Sequence, residues 1–152
     1  MYRPNMSEYL IQCMPIEYKK TLSSRIQAHS HPEEATGCRL WGKSTASNGY
    51  PQLKVTVQSW GSKPQSVHRL VYYMAGNTST PGHEISHLCH NKLCVEVSHL
   101  SSEPPAVNSQ RNNCRGENIC SGHGAYADCL LLPRYRWFQI FVHFVPSSKF
   151  ES

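Results

Sequence analysis

The chain has 152 residues, of which 39% are hydrophobic and 16% charged, with a formal net charge of +5 and an isoelectric point near 8.9. That length suits one domain, and the low apolar content with ten prolines and nine glycines excludes a large self-sufficient core, so the short elements must be stapled by something else. No apolar stretch is long enough to span a membrane, and the mixed-charge start MYRPNMSEYLIQCMPIEYKK carries no secretory pattern, so a reducing, intracellular setting is expected. The basic balance suits an anionic partner such as nucleic acid.

Residues 1–35 have weak periodicity and read as a surface lead-in, in which Tyr9, Leu10, Ile11, Cys13, Met14 and Ile16 make one short helix or strand. Cys13 has no histidine or other cysteine within ten residues and reads as a free, partly buried thiol. After the compact unit Gly37, Cys38, Arg39, Leu40, Trp41 and a turn at Ser47, Asn48 and Gly49, residues 52–58 alternate cleanly. Period-two geometry puts Leu53, Val55 and Val57 on one face and Gln52, Lys54, Thr56 and Gln58 on the other. Residues 60–64 predict a turn, and 66–74 a short helix with Val67, Leu70, Val71 and Met74 at helical spacing. His68 reads as a structural residue of that helix. Residues 78–82 predict a loop and 83–88 a short strand. Pro104 and Pro105 suit the first turn of a helix capped by Ser101 or Ser102 and running to about Asn113 before Gly116 ends it.

Residues 86–114 carry the chemistry. Cys89, Cys94 and His99 are spaced by four intervening residues each and supply three ligands suited to tetrahedral zinc, with Cys38 the natural fourth once the intervening hairpin and helix bring it back. Cys114, Cys120, His123 and Cys129 form a second, closed set. Disulfide pairing or incidental thiols are the bland alternative, and the interleaved histidines and odd cysteine count argue for zinc. His87 is left over beside a ligand, well placed to act as a base. Asn108 on the following helix offers a hard carboxamide oxygen to Mg²⁺, and Arg111 lies one turn further along. Together these would serve phosphodiester hydrolysis, His87 taking a proton from the attacking water. The bland alternatives are a further zinc ligand or buried histidine at His87, and a merely solvating Asn108.

The order Cys38, His87-Leu88-Cys89-His90-Asn91, Cys94, His99-Leu100, Asn108, Arg111, Cys114, Cys120, His123, Cys129 resembles the His-Cys box homing endonucleases of the ββα-metal, or His-Me finger, superfamily. The resemblance covers about residues 36–130. It implies an α+β fold of antiparallel hairpins around a ββα-metal nuclease core, stapled by two structural zincs, with one catalytic Mg²⁺ held by Asn108. It implies His87 as general base, oriented by a hydrogen bond from its second ring nitrogen to a backbone carbonyl of the zinc loop. It also implies a homodimer that cuts both strands of double-stranded DNA, and nuclear action. The chain departs from the pattern at Glu96-Val97, where the family commonly has Asn-Pro, in the gaps around Cys120 and His123, and at Pro105, where an apolar wedge is usual. The family's phosphate-bracing arginine has no clear match, and Lys63 and Lys54 are the candidates.

With that resemblance, the polar face Gln52, Lys54, Thr56, Gln58 reads as a ribbon for the major groove instead of a solvated strand face. Arg69, Lys92, Arg111 and Arg115 are available for phosphate contacts. Residues 131–152 form an aromatic tail, read equally as a dimerisation arm or an intramolecular edge strand. The main rival function is a zinc-stabilised DNA-binding protein without nuclease activity, and a third is a disulfide-rich interaction protein.

Overall fold

The computed structural model describes residues 5–58 and 61–131. Its chain order is α1 (Met6–Cys13), α2 (Ile16–Ala28), β1 (Ser30–Pro32), β2 (Arg39–Trp41), β3 (Gln52–Val57), β4 (Gly61–Ser66), α3 (Val67–Met74), β5 (Glu84–His87), a 3₁₀ turn (Val97–His99), β6 (Leu100–Glu103) and α4 (Pro105–Glu117). The strands pair as three antiparallel hairpins, β1–β2, β3–β4 and β5–β6. This is the α+β architecture of small hairpins expected from the sequence.

The largest departure is at the start. The expected surface lead-in instead forms two helices that belong to the core. Asn5 caps α1 by accepting from the Ser7 amide at 2.9 Å, and α1 stops at Met14 because the following Pro15 forces that residue into an extended conformation. Leu22 and Ile26, one turn apart on α2, are buried with Ile11, Met14, Trp41, Leu53, Val55, Val67, Leu70 and Ile85 in one cluster. Two polar bonds fix the helices to the second hairpin: the Thr56 amide donates to the Tyr18 hydroxyl at 3.0 Å, and the Ser7 hydroxyl bonds Gln65 at 3.0 Å. Cys13 is exposed, not partly buried.

The β3 alternation is present, with Leu53 and Val55 buried and Lys54 and Thr56 exposed. The described part of the turn expected at 60–64, residues 61–64, is strand instead. Gly61 through Ser66 form strand β4, paired from Val57↔Gly61 to Gln52↔Ser66, so the reversal falls before Gly61. Helix α3 follows directly, with Val67 and Leu70 fully buried. Strand β5, the long loop to β6, and α4 then make a ββα unit, with α4 packed on β5. Neither Ser101 nor Ser102 caps α4: both lie in β6, and Pro104 occupies the N-cap position. Gly116 does not end α4, which continues to Glu117 and closes on Asn118 in the left-handed region at φ 55°. No helix among the described residues is long and apolar enough to cross a membrane.

Because Leu22 is 1% exposed, Leu22→Ala is expected to destabilise the zinc-loaded protein by about 3 kcal/mol in denaturant unfolding. A neutral result would return the N-terminal helices to the surface.

Candidate metal centres and catalytic cleft

The first cluster is assembled by strand β2 docking on the β5–β6 loop. The Trp41 amide donates to the Leu93 carbonyl at 2.9 Å and the Val95 amide to the Arg39 carbonyl at 2.7 Å, and this pairing delivers Cys38 to the loop. The loop folds on itself through Cys94 N–H to Asn91 O at 3.0 Å and Leu88 N–H to His99 O at 2.8 Å. As a result the Cys38 and Cys94 sulfurs each lie 3.5 Å from His99 Nδ1. With Cys89, the four ligand atoms lie within 4.8 Å of one another, and every cysteine is a free thiol. A tetrahedral zinc with bonds of about 2.3 Å to sulfur and about 2.0 Å to nitrogen separates those atoms by about 3.5 Å, so the donor set fits. The thiols also show what a cation would relieve. A hydrogen bond from Cys89 holds the Cys94 thiol down to about 5, while that same contact and burial push Cys89 far up. One thiolate is tolerated among three sulfurs unless a cation lets the others ionise.

The second cluster closes around the end of α4. Cys114 on the helix and Cys129 in the final described segment bring their sulfurs to 3.5 Å and 3.4 Å from His123 Nε2, and Cys120 completes the set within 4.8 Å. The left-handed Asn118 reverses the chain after the helix so that Cys120 and His123 return toward Cys114. Burial pushes the Cys129 thiol up to about 12. Burial also acts to raise Cys120, but the amides of Cys129 and Gly122 outweigh it and hold that thiol below its ordinary value. The structure therefore brings together all eight ligand residues named from spacing, including His123 despite its altered gaps.

Between the clusters lies a cleft of about 80 Å³, lined by Tyr50, His87, His90, Lys92, Asn108 and Arg115 among others. His87 ends β5 and is 9% exposed. Its Nε2 lies 2.9 Å from the Cys94 carbonyl, which can only accept, so Nε2 carries the proton and the lone pair belongs to Nδ1. Tyr50 stacks on the His87 ring at 5.9 Å and His68 packs against it at 4.8 Å. Burial holds the His87 ring below its ordinary value and therefore neutral. Asn108 donates from Nδ2 to Glu84 Oε2 at 2.8 Å. A carboxylate cannot face the carboxamide oxygen, so this bond turns Oδ1 away from Glu84, leaving it available as a hard oxygen ligand.

Two expected contacts do not hold. Arg111 is 1% exposed, its fork bonded to Glu103 at 2.6 and 2.7 Å, to Cys129 Sγ at 3.2 Å and to the Ala127 carbonyl at 2.8 Å. Four of its five donors are committed internally, which removes it as a DNA phosphate contact. Lys63 lies on β4 opposite Val55, so it shares the Val55 side of the hairpin, not the side of Lys54 and Thr56, and it does not line the cleft. Lys54, Thr56 and Gln58 are exposed and Gln52 half-buried. Sequence reasoning missed Tyr50, Glu84 and the ring contact of His68, none of which has a local motif. The aromatic tail after residue 131 lies outside the described residues.

Two Cys₃His clusters bracketing a ββα unit define a small metal-stapled protein. The family model described as the zinc-binding loop region of homing endonuclease matches residues 37–134, and the chain belongs to that family. Membership makes its general function nuclease-like and DNA-directed. No curated protein and no solved structure matched the chain.

Two outcomes follow from this geometry. The purified protein is expected to carry two zinc ions per chain by native mass spectrometry, with Cys120→Ser losing one and chelation abolishing the cooperative unfolding transition. His68 is 4% exposed, its Nδ1 lacks a hydrogen-bond partner, and burial pushes it down to about 3. The unfolded chain protonates there near pH 6.5, so stability is whole above that value and drains as pH falls toward 3, at about 1.4 kcal/mol per unit. His68→Phe should flatten the measured loss between pH 6.5 and 5 relative to the parent; equal slopes would place the histidine in contact with solvent.

Proposed function

We propose that the protein is a site-specific, Mg²⁺-dependent endonuclease that cuts double-stranded DNA, with His87 as general base and Asn108 as the metal-holding residue. The observation that carries the proposal is the pairing of His87 and Asn108 in one cleft, with His87 Nε2 already committed to the Cys94 carbonyl. His87 Nδ1 accepts the proton of a water molecule as that water attacks phosphorus, and Tyr50 and His68 keep the ring from turning away. Asn108, its amide nitrogen tied to Glu84, presents Oδ1 to Mg²⁺. When bound, that ion stabilises negative charge on the phosphate and on the departing 3′ oxygen. Both zincs serve structure, their coordination closed by protein ligands.

The exposed residues Lys54, Thr56 and Gln58, with the half-buried Gln52, lie on the hairpin face suited to the major groove. A homodimer would give each strand of a near-palindromic site its own cleft. Nuclear action completes the reading.

With plasmid or randomised duplex DNA and Mg²⁺, the parent protein should cleave. His87→Ala should keep DNA binding and lose cutting by about 10²–10⁴-fold. Glu84→Ala should leave DNA affinity unchanged but raise the Mg²⁺ concentration for half-maximal rate by about tenfold, because the Asn108 amide is released. Normal cutting by His87→Ala overturns the assigned base, and binding without any cutting by the parent leaves a DNA-binding protein on a nuclease scaffold.

A further inference from the structure

The cleft is lined by Lys92 and Arg115, two of the four cations available for phosphate contacts by sequence, neither of which the sequence placed beside His87. Lys92 sits within the Cys89–Cys94 loop of the first cluster, and Arg115 follows the second-cluster ligand Cys114 directly. Each metal cluster thus brings one cation to the cleft that holds His87 and Asn108. On α4, Asn108, Asn112 and Arg115 recur at i, i+4 and i+7 and all line it. Arg111 lines it too, but its donors are held by Glu103, Cys129 and Ala127. Arg115 is exposed and makes no salt bridge among the described residues. Lys92 is steered by a hydrogen bond to the Asn48 carbonyl at 3.1 Å and by the Tyr50 ring 5.1 Å away, the same ring that stacks on His87. Two of its three ammonium donors remain for a ligand.

The size of the cleft limits what those cations meet. At about 80 Å³ it falls well short of the roughly 300 Å³ of a typical small-molecule pocket and suits a small group. A phosphodiester on the surface of a duplex presents an anionic group of that scale to the two cations. We propose that Lys92 and Arg115 are the phosphate-binding pair of this cleft, gripping the DNA backbone beside His87 and Asn108. The pair thereby takes the bracing role for which Lys63 and Lys54 are the sequence candidates. This rests on the DNA-directed reading above but not on hydrolysis. Lys92 contributes a point charge and Arg115 a planar fork able to take two oxygens of one phosphate.

The test uses the full, zinc-loaded chain and a mixed-sequence duplex without added Mg²⁺, with affinity followed by fluorescence anisotropy at stepped NaCl. Lys92→Ala and Arg115→Ala should each lower the slope of log affinity against log salt by about 1, and the double variant by about 2. Arg115→Lys should restore the slope, whereas Lys20→Ala, whose side chain pairs with Glu17 on α2, should leave it unchanged. Zinc content and circular dichroism confirm that each variant is folded. A double variant with the parental slope, or a parent protein that does not bind the duplex, overturns the pair. A parent that never cuts in Mg²⁺, yet shows both slope losses, keeps the phosphate pair and loses only the hydrolase.

Discussion

Cys94 is the point on which the site turns. Its sulfur belongs to the first cluster, its carbonyl accepts the proton on His87 Nε2, and its amide closes the loop onto Asn91. The residue is fully buried and bridges to Leu40 of β2, the strand that brings in Cys38. One peptide segment therefore couples metal ligation to the orientation of the imidazole. Leu88 and Val95 anchor the ends of the loop by burial, but His90, Asn91, Lys92 and Leu93 between them stay half-buried or exposed, and ordering such a stretch costs about 1–2 kcal/mol per residue in backbone entropy. Coordination of a cation by Cys89, Cys94 and His99 together with Cys38 would add what packing does not supply there.

A second constraint operates through Arg111. Burial alone pushes the Glu103 carboxyl up, yet the Arg111 fork outweighs it and leaves Glu103 below the usual carboxylate range. Both side chains are almost wholly inaccessible, so removal of either one would strand a buried charge at a cost of about 3–5 kcal/mol. The same guanidinium reaches Cys129 Sγ and the Ala127 carbonyl. It thereby fastens β6, α4 and the second cluster together, and the angle of α4 decides where Asn108 stands relative to β5. The residue that looked like a DNA contact is part of the frame that aims Asn108.

Legibility followed the range of the interactions. The ligand sets were readable because seven of the eight residues lie in two short stretches whose spacing reflects local loop geometry, and only Cys38 had to be inferred from afar. The β3 alternation and the α3 periodicity were readable for the same reason. Arg111 misled because an arginine one turn from Asn108 looks alike in sequence whether it faces DNA or an internal carboxylate, and only the fold brings Glu103 beside it. Lys63 misled because its face depends on cross-strand register: pairing with Val55 sets it opposite to Lys54. The N-terminal helices escaped because Pro15 breaks the first apolar stretch and the longer α2 buries only Leu22 and Ile26, too sparse a stripe to stand out as a period. Glu84, Tyr50 and His68 act through non-local contacts that no motif announces.

The first metal loop fixes which nitrogen of His87 bears the proton. Long-range ¹H–¹⁵N correlation spectra of the zinc-loaded protein, with His87 assigned by comparison with His87→Ala, report that tautomer directly. The expected spectrum is that of the neutral ring with the proton on Nε2 and an unprotonated Nδ1. A proton on Nδ1 would mean that the Cys94 carbonyl does not orient the ring, and the link between metal loop and imidazole would be wrong.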